Sequence, residues 1–206
     1  MIKLKPSRRI TIYLIKTIPM SNKKLITSII VSSVFLVSCG GIGYTRDMSY
    51  MPDSLKAQHE KTLSEQLEKY KNTSKDEEKS TYAGEIGFQY MELGQFNEAI
   101  TYYEEVLKQH PTDFASLNNI ARMYEEAGKI KEALTYQQKL YETNSTNTQV
   151  IDATIRLLVA NSQFDDAQGL LEKFTVTEQG KKETAFVSGQ YELILKAREK
   201  QQKSRE

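Results

Sequence analysis

The chain has 206 residues, room for one domain and a targeting segment, and its 28 Lys+Arg nearly cancel 27 Asp+Glu. That balance removes the electrostatic case for nucleic acid, which asks for a basic face. A lone Cys excludes an internal disulfide, and two His (His59 and His110) with no Cys beside them exclude a usual zinc site. Four prolines and ten glycines amid abundant Glu, Lys, Gln, Ala and Leu favour helix.

The first element in chain order is a targeting segment. Leu25 to Val37 is mostly apolar, follows Lys23 and Lys24, and ends in small residues. A basic start, a short apolar run and a small-residue end read as a secretory signal covering residues 1–38. The run is too short for a membrane span, which needs about 20 residues. Translation is expected to start at Met20, with Met1 to Pro19 a mispredicted extension; a long basic leader (Lys3, Lys5, Arg8, Arg9, Lys16) is the alternative.

The apolar run closes on Leu36-Val37-Ser38-Cys39-Gly40. This resembles the lipobox of bacterial lipoproteins: aliphatic, variable, small, then Cys. The resemblance implies that the Cys39 thiol is diacylglycerylated and the signal cut before it; a free thiol at the end of an uncleaved anchor is the alternative. One acyl chain anchors only marginally, whereas two hold stably. Gly40 in place of Asp implies, in an organism with two membranes, an outer-membrane address facing the periplasm. Residues 39–52, opening Gly40-Gly41-Ile42-Gly43, read as a flexible tether spanning roughly 20 Å, on which the folded part swivels.

Residues 53–79 follow as a flanking helix and linker. Leu55, His59, Leu63, Leu67 and Tyr70 form its apolar stripe, and Ser74-x-x-Glu77 matches a capping box. A self-similarity then sets in. Gly94-Gln95-Phe96-Asn97-Glu98-Ala99 stands 34 residues before Gly128-Lys129-Ile130-Lys131-Glu132-Ala133, and a second step of 34 reaches Phe164, Ala167 and Leu170. The same step pairs Tyr90 with Tyr124, Ile86 with Ile120 and Tyr102 with Tyr136. These residues resemble the tetratricopeptide repeat (TPR). Repeat one, 80–113, supplies Ile86-Gly87, Tyr90, Gly94, Phe96, Ala99, Tyr103 and Pro111. Repeat two, 114–147, supplies Ile120-Ala121, Tyr124, Gly128, Ile130 and Ala133, with Ser145 for the proline. Repeat three, 148–181, is degenerate: it keeps Phe164, Ala167 and Phe174 but has Asn161-Ser162 at the turn. The resemblance implies an all-α solenoid of helical hairpins with flanking helices.

The small residues Gly87, Ala99, Ala121 and Ala133 allow paired helices to approach. Gly94 and Gly128 suit left-handed helix ends, Pro111 ends a helix, and Asp113 and Asn147 stand where N-caps belong. Residues 182–206, with Ala185, Phe186, Gly189, Leu193 and Leu195-Lys196-Ala197, read as a C-terminal capping helix and charged tail.

No Gly-rich phosphate loop, His-Glu-x-x-His or Gly-x-Ser-x-Gly occurs, so no enzyme, cofactor, metal or small-molecule substrate is expected. Glu104-Glu105, Glu125-Glu126 and Asp165-Asp166 are paired only in sequence, because adjacent helix residues point about 100° apart. The positions that line the concave peptide groove in the TPR family hold Phe88 and Met91 as an apolar pocket. Asn118, Asn119, Arg122, Glu125, Gln149, Asp152 and Arg156 supply polar contacts. The five-residue clamp by which some TPR domains grip a C-terminal carboxylate is matched only at Asn119. The function implied is a membrane-anchored adaptor that binds a protein or peptide partner in the bacterial cell envelope. A non-catalytic accessory subunit of an envelope assembly or secretion complex is the alternative.

Overall fold

The computed structural model describes residues 45–205; the signal, Met20 and Cys39 readings concern residues outside that range. The described part is all-α, and its only strand-like pairing is an isolated antiparallel bridge between Thr45 and Gln95. Helix α1 spans Asp53–Asn72 and is followed by three hairpins: α2 (Asp76–Glu92) with α3 (Phe96–Gln109), α4 (Phe114–Glu126) with α5 (Ile130–Thr143), and α6 (Thr148–Ala160) with α7 (Phe164–Thr175). A single turn, α8 (Glu178–Lys182), leads into the last helix, α9 (Thr184–Lys203). Each helix up to α8 packs mainly on its chain neighbours, as a solenoid requires, while α9 packs chiefly on α7. None of the described helices is long and apolar enough to cross a membrane.

The 34-residue step places the same local chemistry at each turn. Gly94 and Gly128 adopt φ of 72° and 71°, the left-handed conformation that costs glycine nothing. In the third hairpin Ser162 takes the same conformation, at φ 61°, with a side chain in place. Asp113 and Asn147 cap α4 and α6: Ser116 N donates to Asp113 Oδ2 (2.8 Å), and Gln149 N to Asn147 Oδ1 (2.9 Å). Within the first hairpin Gly87 allows close approach, since a Cβ there would lie 3.2 Å from the Tyr103 ring and 3.3 Å from the Ala99 carbonyl. The equivalent residues further along are Ala121 and then Ile155. The branched side chain comes with looser contact between α6 and α7 than within the first two hairpins. Burial against α9 compensates: Ile155, Leu171, Phe174 and Ile194 share one core cluster, each side chain giving about 1.5–3 kcal/mol on burial.

Four expectations change. The tether does not run free to Pro52. From Thr45 onward it lies as a strap on the first and second hairpins: Arg46 N donates to Gly94 O (3.0 Å), and Met48 covers Gly94. The Arg46 guanidinium sits 5.3 Å above the Phe96 ring and pairs with Glu126 through Nε and Nη2, Nε at 2.8 Å from Oε2. The capping box at Ser74 and Glu77 does not form. The N-cap of α2 is Lys75, with no side-chain cap; just before it Thr73 donates from Oγ1 to Glu78 (2.6 Å) and accepts from Lys75 N (3.3 Å). Helix α1 buries no residue fully: His59, Leu63, Leu67 and Tyr70 are half-buried and Leu55 is exposed, because only one face meets a neighbour. The cap, finally, uses a different face. Helix α9 buries Val187, Gln190 and Ile194, with Phe186 and Ala197 packed against the same core as expected, while Leu193 and Leu195 are exposed. A 34-residue step from α6 would have buried Thr184, Ala185, Ser188 and Gly189, but α8 is inserted and rotates the frame. Gly180 permits that insertion, since a Cβ on it would fall 2.1 Å from the Phe174 carbonyl oxygen.

Candidate protein-binding face

The first helices of the three hairpins, α2, α4 and α6, share a face on which two clefts open. The larger, of about 750 Å³, has Gly84 and Phe88 of α2, Tyr103, Val106 and His110 from α3 and its end, and Asn119 of α4 among its lining residues. The smaller, of about 470 Å³, is lined by Asn118, Arg122 and Glu125 of α4, Gln149, Asp152 and Arg156 of α6, and Phe186 of α9. The hairpin architecture thus gathers eight of the nine sequence-assigned groove residues into two clefts.

Met91 is the exception. It is 3 % exposed and packs with Phe96, Ala99, Tyr103, Ile120 and Met123 in the core between the first two hairpins. Its position near the end of α2 turns it towards α3 and α4, so the apolar contact of the larger cleft comes from Phe88 alone of that pair. Phe88 is 43 % exposed, high for a phenylalanine in a folded domain.

The polar residues divide by whether they are already engaged. Arg156 pairs with Glu125 (2.7 Å) and Asp152 (3.0 Å), and Asp152 also accepts from Gln190 Nε2 (2.8 Å). That network joins α4, α6 and α9. Gln190 Oε1 remains buried without a partner among the described residues. By contrast, Arg122 and the side-chain amides of Asn118 and Gln149 have neither ion-pair nor hydrogen-bond partners among those residues. Asn119 is engaged, donating from Nδ2 to the Tyr103 hydroxyl (2.8 Å). Burial of Tyr103 pushes its hydroxyl up to about 12, with Asn119 pulling the other way.

The adjacent carboxylates behave as their 100° separation requires, each reaching a different neighbour. Glu105 accepts from Tyr70 and Glu104 from Tyr136 (2.6 Å). Glu125 meets Arg156 while Glu126 meets Arg46. Asp165 meets Arg198 while Asp166 accepts from Gln163. None of these pairs converges on a common site. Among the described residues no group of three or more His, Cys, Asp or Glu is placed to hold a metal ion. His59 is half-buried against Gln89 (Nδ1 to Oε1, 2.7 Å), and His110 is an exposed residue after α3.

Sequence reasoning missed Phe186 and Gln190 as parts of this face. They lie outside the repeat, and the insertion of α8 left no periodic signal to place them. The repeat itself also appears in comparison with known families: residues 78–144, the first two hairpins, match the family described as tetratricopeptide repeat. A comparison with curated proteins gives no match.

Proposed function

We propose that this protein is a membrane-anchored adaptor of the bacterial cell envelope that binds a protein partner on the α2–α4–α6 face. The match of residues 78–144 to a repeat family that generally mediates protein–protein interaction supports the binding role. The helical repeat fold is ordinarily non-catalytic, and we read no reaction into this chain. The single observation carrying the choice of face is the exposed Phe88 in the larger cleft together with Asn118, Arg122 and Gln149 in the smaller one, whose side chains have no ion-pair or hydrogen-bond partner among the described residues. An amide side chain offers both a donor and an acceptor, which suits the main chain of an extended peptide.

The anchoring half rests on the sequence alone: the apolar run before Cys39, the lipobox-like Leu36-Val37-Ser38-Cys39 and the Gly at 40. On this reading the signal is removed, Cys39 carries the acyl chains, and the domain stands at an outer membrane facing the periplasm where the cell has one.

Two experiments test the halves separately. In-cell crosslinking followed by pulldown should recover a partner with the wild type and lose most of it with Arg122→Ala, without change in the circular dichroism spectrum. Unaltered capture would move the binding site off this face. Labelled palmitate should enter the wild type and not Cys39→Ala, and the variant should leave the membrane fraction. An unlabelled, membrane-bound wild type would end the lipoprotein reading.

A further inference from the structure

We infer that the larger cleft takes a segment of the partner protein that presents a Lys or Arg beside an apolar side chain. This rests on the proposal that the α2–α4–α6 face binds protein, and it names the chemistry of what binds.

The two clefts differ in charge. The smaller one balances Glu125 and Asp152 with Arg122 and Arg156. The larger one is lined by three carboxylates, Glu77, Glu85 and Asp113, and, among the described residues, by no Lys or Arg. Those carboxylates retain capacity to accept. Glu85 has no ion-pair or hydrogen-bond partner among the described residues. Asp113 uses Oδ2 to cap α4, leaving Oδ1. Glu77 faces His110 Nε2 at 3.5 Å, a cation only when the imidazole is protonated. An occupant that covered three carboxylates without bringing positive charge would strip their water and return nothing, a cost of several kcal/mol per ion. An occupant with a basic side chain offsets that cost. Phe88 meanwhile offers a large apolar surface among the cleft-lining residues, the kind of aromatic anchor around which binding energy concentrates. Basic and apolar features are therefore required of the same short segment. At about 750 Å³ the cleft has room for several side chains.

The test is selection of random dodecapeptides, displayed on phage, against the full chain at low salt. The selected peptides should be rich in Lys or Arg next to Leu, Ile or Phe. Their affinity for the purified protein should fall at least about fivefold with Phe88→Ala and with Glu85→Gln, both exposed substitutions that leave the core intact. It should fall again when salt is raised, since screening acts on exposed charges. Acidic or uncharged peptides that still depend on Phe88 would overturn the basic assignment while sparing the proposed face. Basic peptides sensitive to Arg122→Ala but not to Phe88→Ala would place the ligand in the other cleft and overturn it too. No enrichment, or peptides indifferent to Phe88, Glu85 and Arg122 alike, would overturn both this inference and the face on which it rests.

Discussion

The first and third hairpins have the same topology and reach it by different chemistry. In the first, Gly94 makes the turn, Gly87 brings the helices together, Tyr90 stacks on Tyr102 at 5.7 Å, and Tyr103 joins the next hairpin through Asn119. In the third, 68 residues later, the equivalents are Ser162, Ile155, Leu158 with Leu170, and Leu171. The second hairpin is intermediate: it keeps the glycine turn and stacks Tyr124 on Tyr136 at 5.8 Å. Its link to α6 is Gln137, buried and donating to Val150 O and Thr154 Oγ1. A hairpin solenoid thus tolerates wide exchange of aromatic and polar joints for aliphatic ones. The helix phases must agree, and buried polar groups find partners with few exceptions, Gln190 Oε1 being one among the described residues.

The turn is where that comparison is most easily broken. Gly94 and Gly128 share a backbone conformation but not surroundings. A Cβ on Gly94 would fall 2.7 Å from Met48 Cγ and 2.8 Å from the Arg46 carbonyl oxygen, whereas none of the described residues lies within 4 Å of one on Gly128. Gly128→Ala should cost about 1 kcal/mol, from left-handed strain partly offset by a stiffer unfolded chain. Gly94→Ala adds steric overlap with the strap and should cost about 3 kcal/mol. Urea denaturation of both variants checks this. In a chain lacking residues 45–51 the two costs should converge; if they still differ, the strap is not the cause.

A smaller effect separates the joints by pH. Tyr103 is held protonated to about pH 12 in the fold, against about 10 for a free phenol in the unfolded chain. The unfolded state gives up its proton first, so the stabilisation is complete below pH 10 and is lost as pH rises to 12. The loss from this residue is at most about 2–3 kcal/mol. Tyr70, also raised to about 12 by burial and by Glu105, adds a smaller share because it is partly exposed. Stability measured at pH 9 and pH 11.5 should therefore fall less in Tyr103→Phe than in the wild type. Equal falls would assign the alkaline sensitivity to the other tyrosines. No such contribution exists at the third hairpin, where Leu171 occupies the joint.

The smallest effect repairs the third turn. Ser162→Gly removes the strain of a side chain at positive φ, loses the hydrogen bond from Gln201 (2.7 Å) and loosens the unfolded chain. The net is a stabilisation of about 0.5 kcal/mol, visible as a rise of one or two degrees in Tm. A fall would mean that the contact between Ser162 and Gln201 holds α9 more firmly than an exposed hydrogen bond ordinarily does.

The amino-acid sequence by itself determined the hairpin fold, its turns and the caps at Asp113 and Asn147. These depend on residues within a turn or two of one another, and a 34-residue step repeats them. It also placed Phe88, Asn118, Arg122, Gln149, Asp152 and Arg156 on one face, because a helix register carries side-chain direction with it. Tertiary structure decided what lay outside the repeat. Met91 is core and not groove because α3 and α4 close over its end of α2. The strap lies on the hairpins because Gly94, Phe96 and Glu126, distant in sequence, meet Arg46 and Met48 in space. The face that α9 buries follows from α8, whose insertion no period announces. Which groove residues are free is likewise a tertiary matter. Arg122 and Arg156 stand 34 residues apart at the same repeat position, yet only Arg156 has Asp152 one turn before it and Glu125 across the cleft.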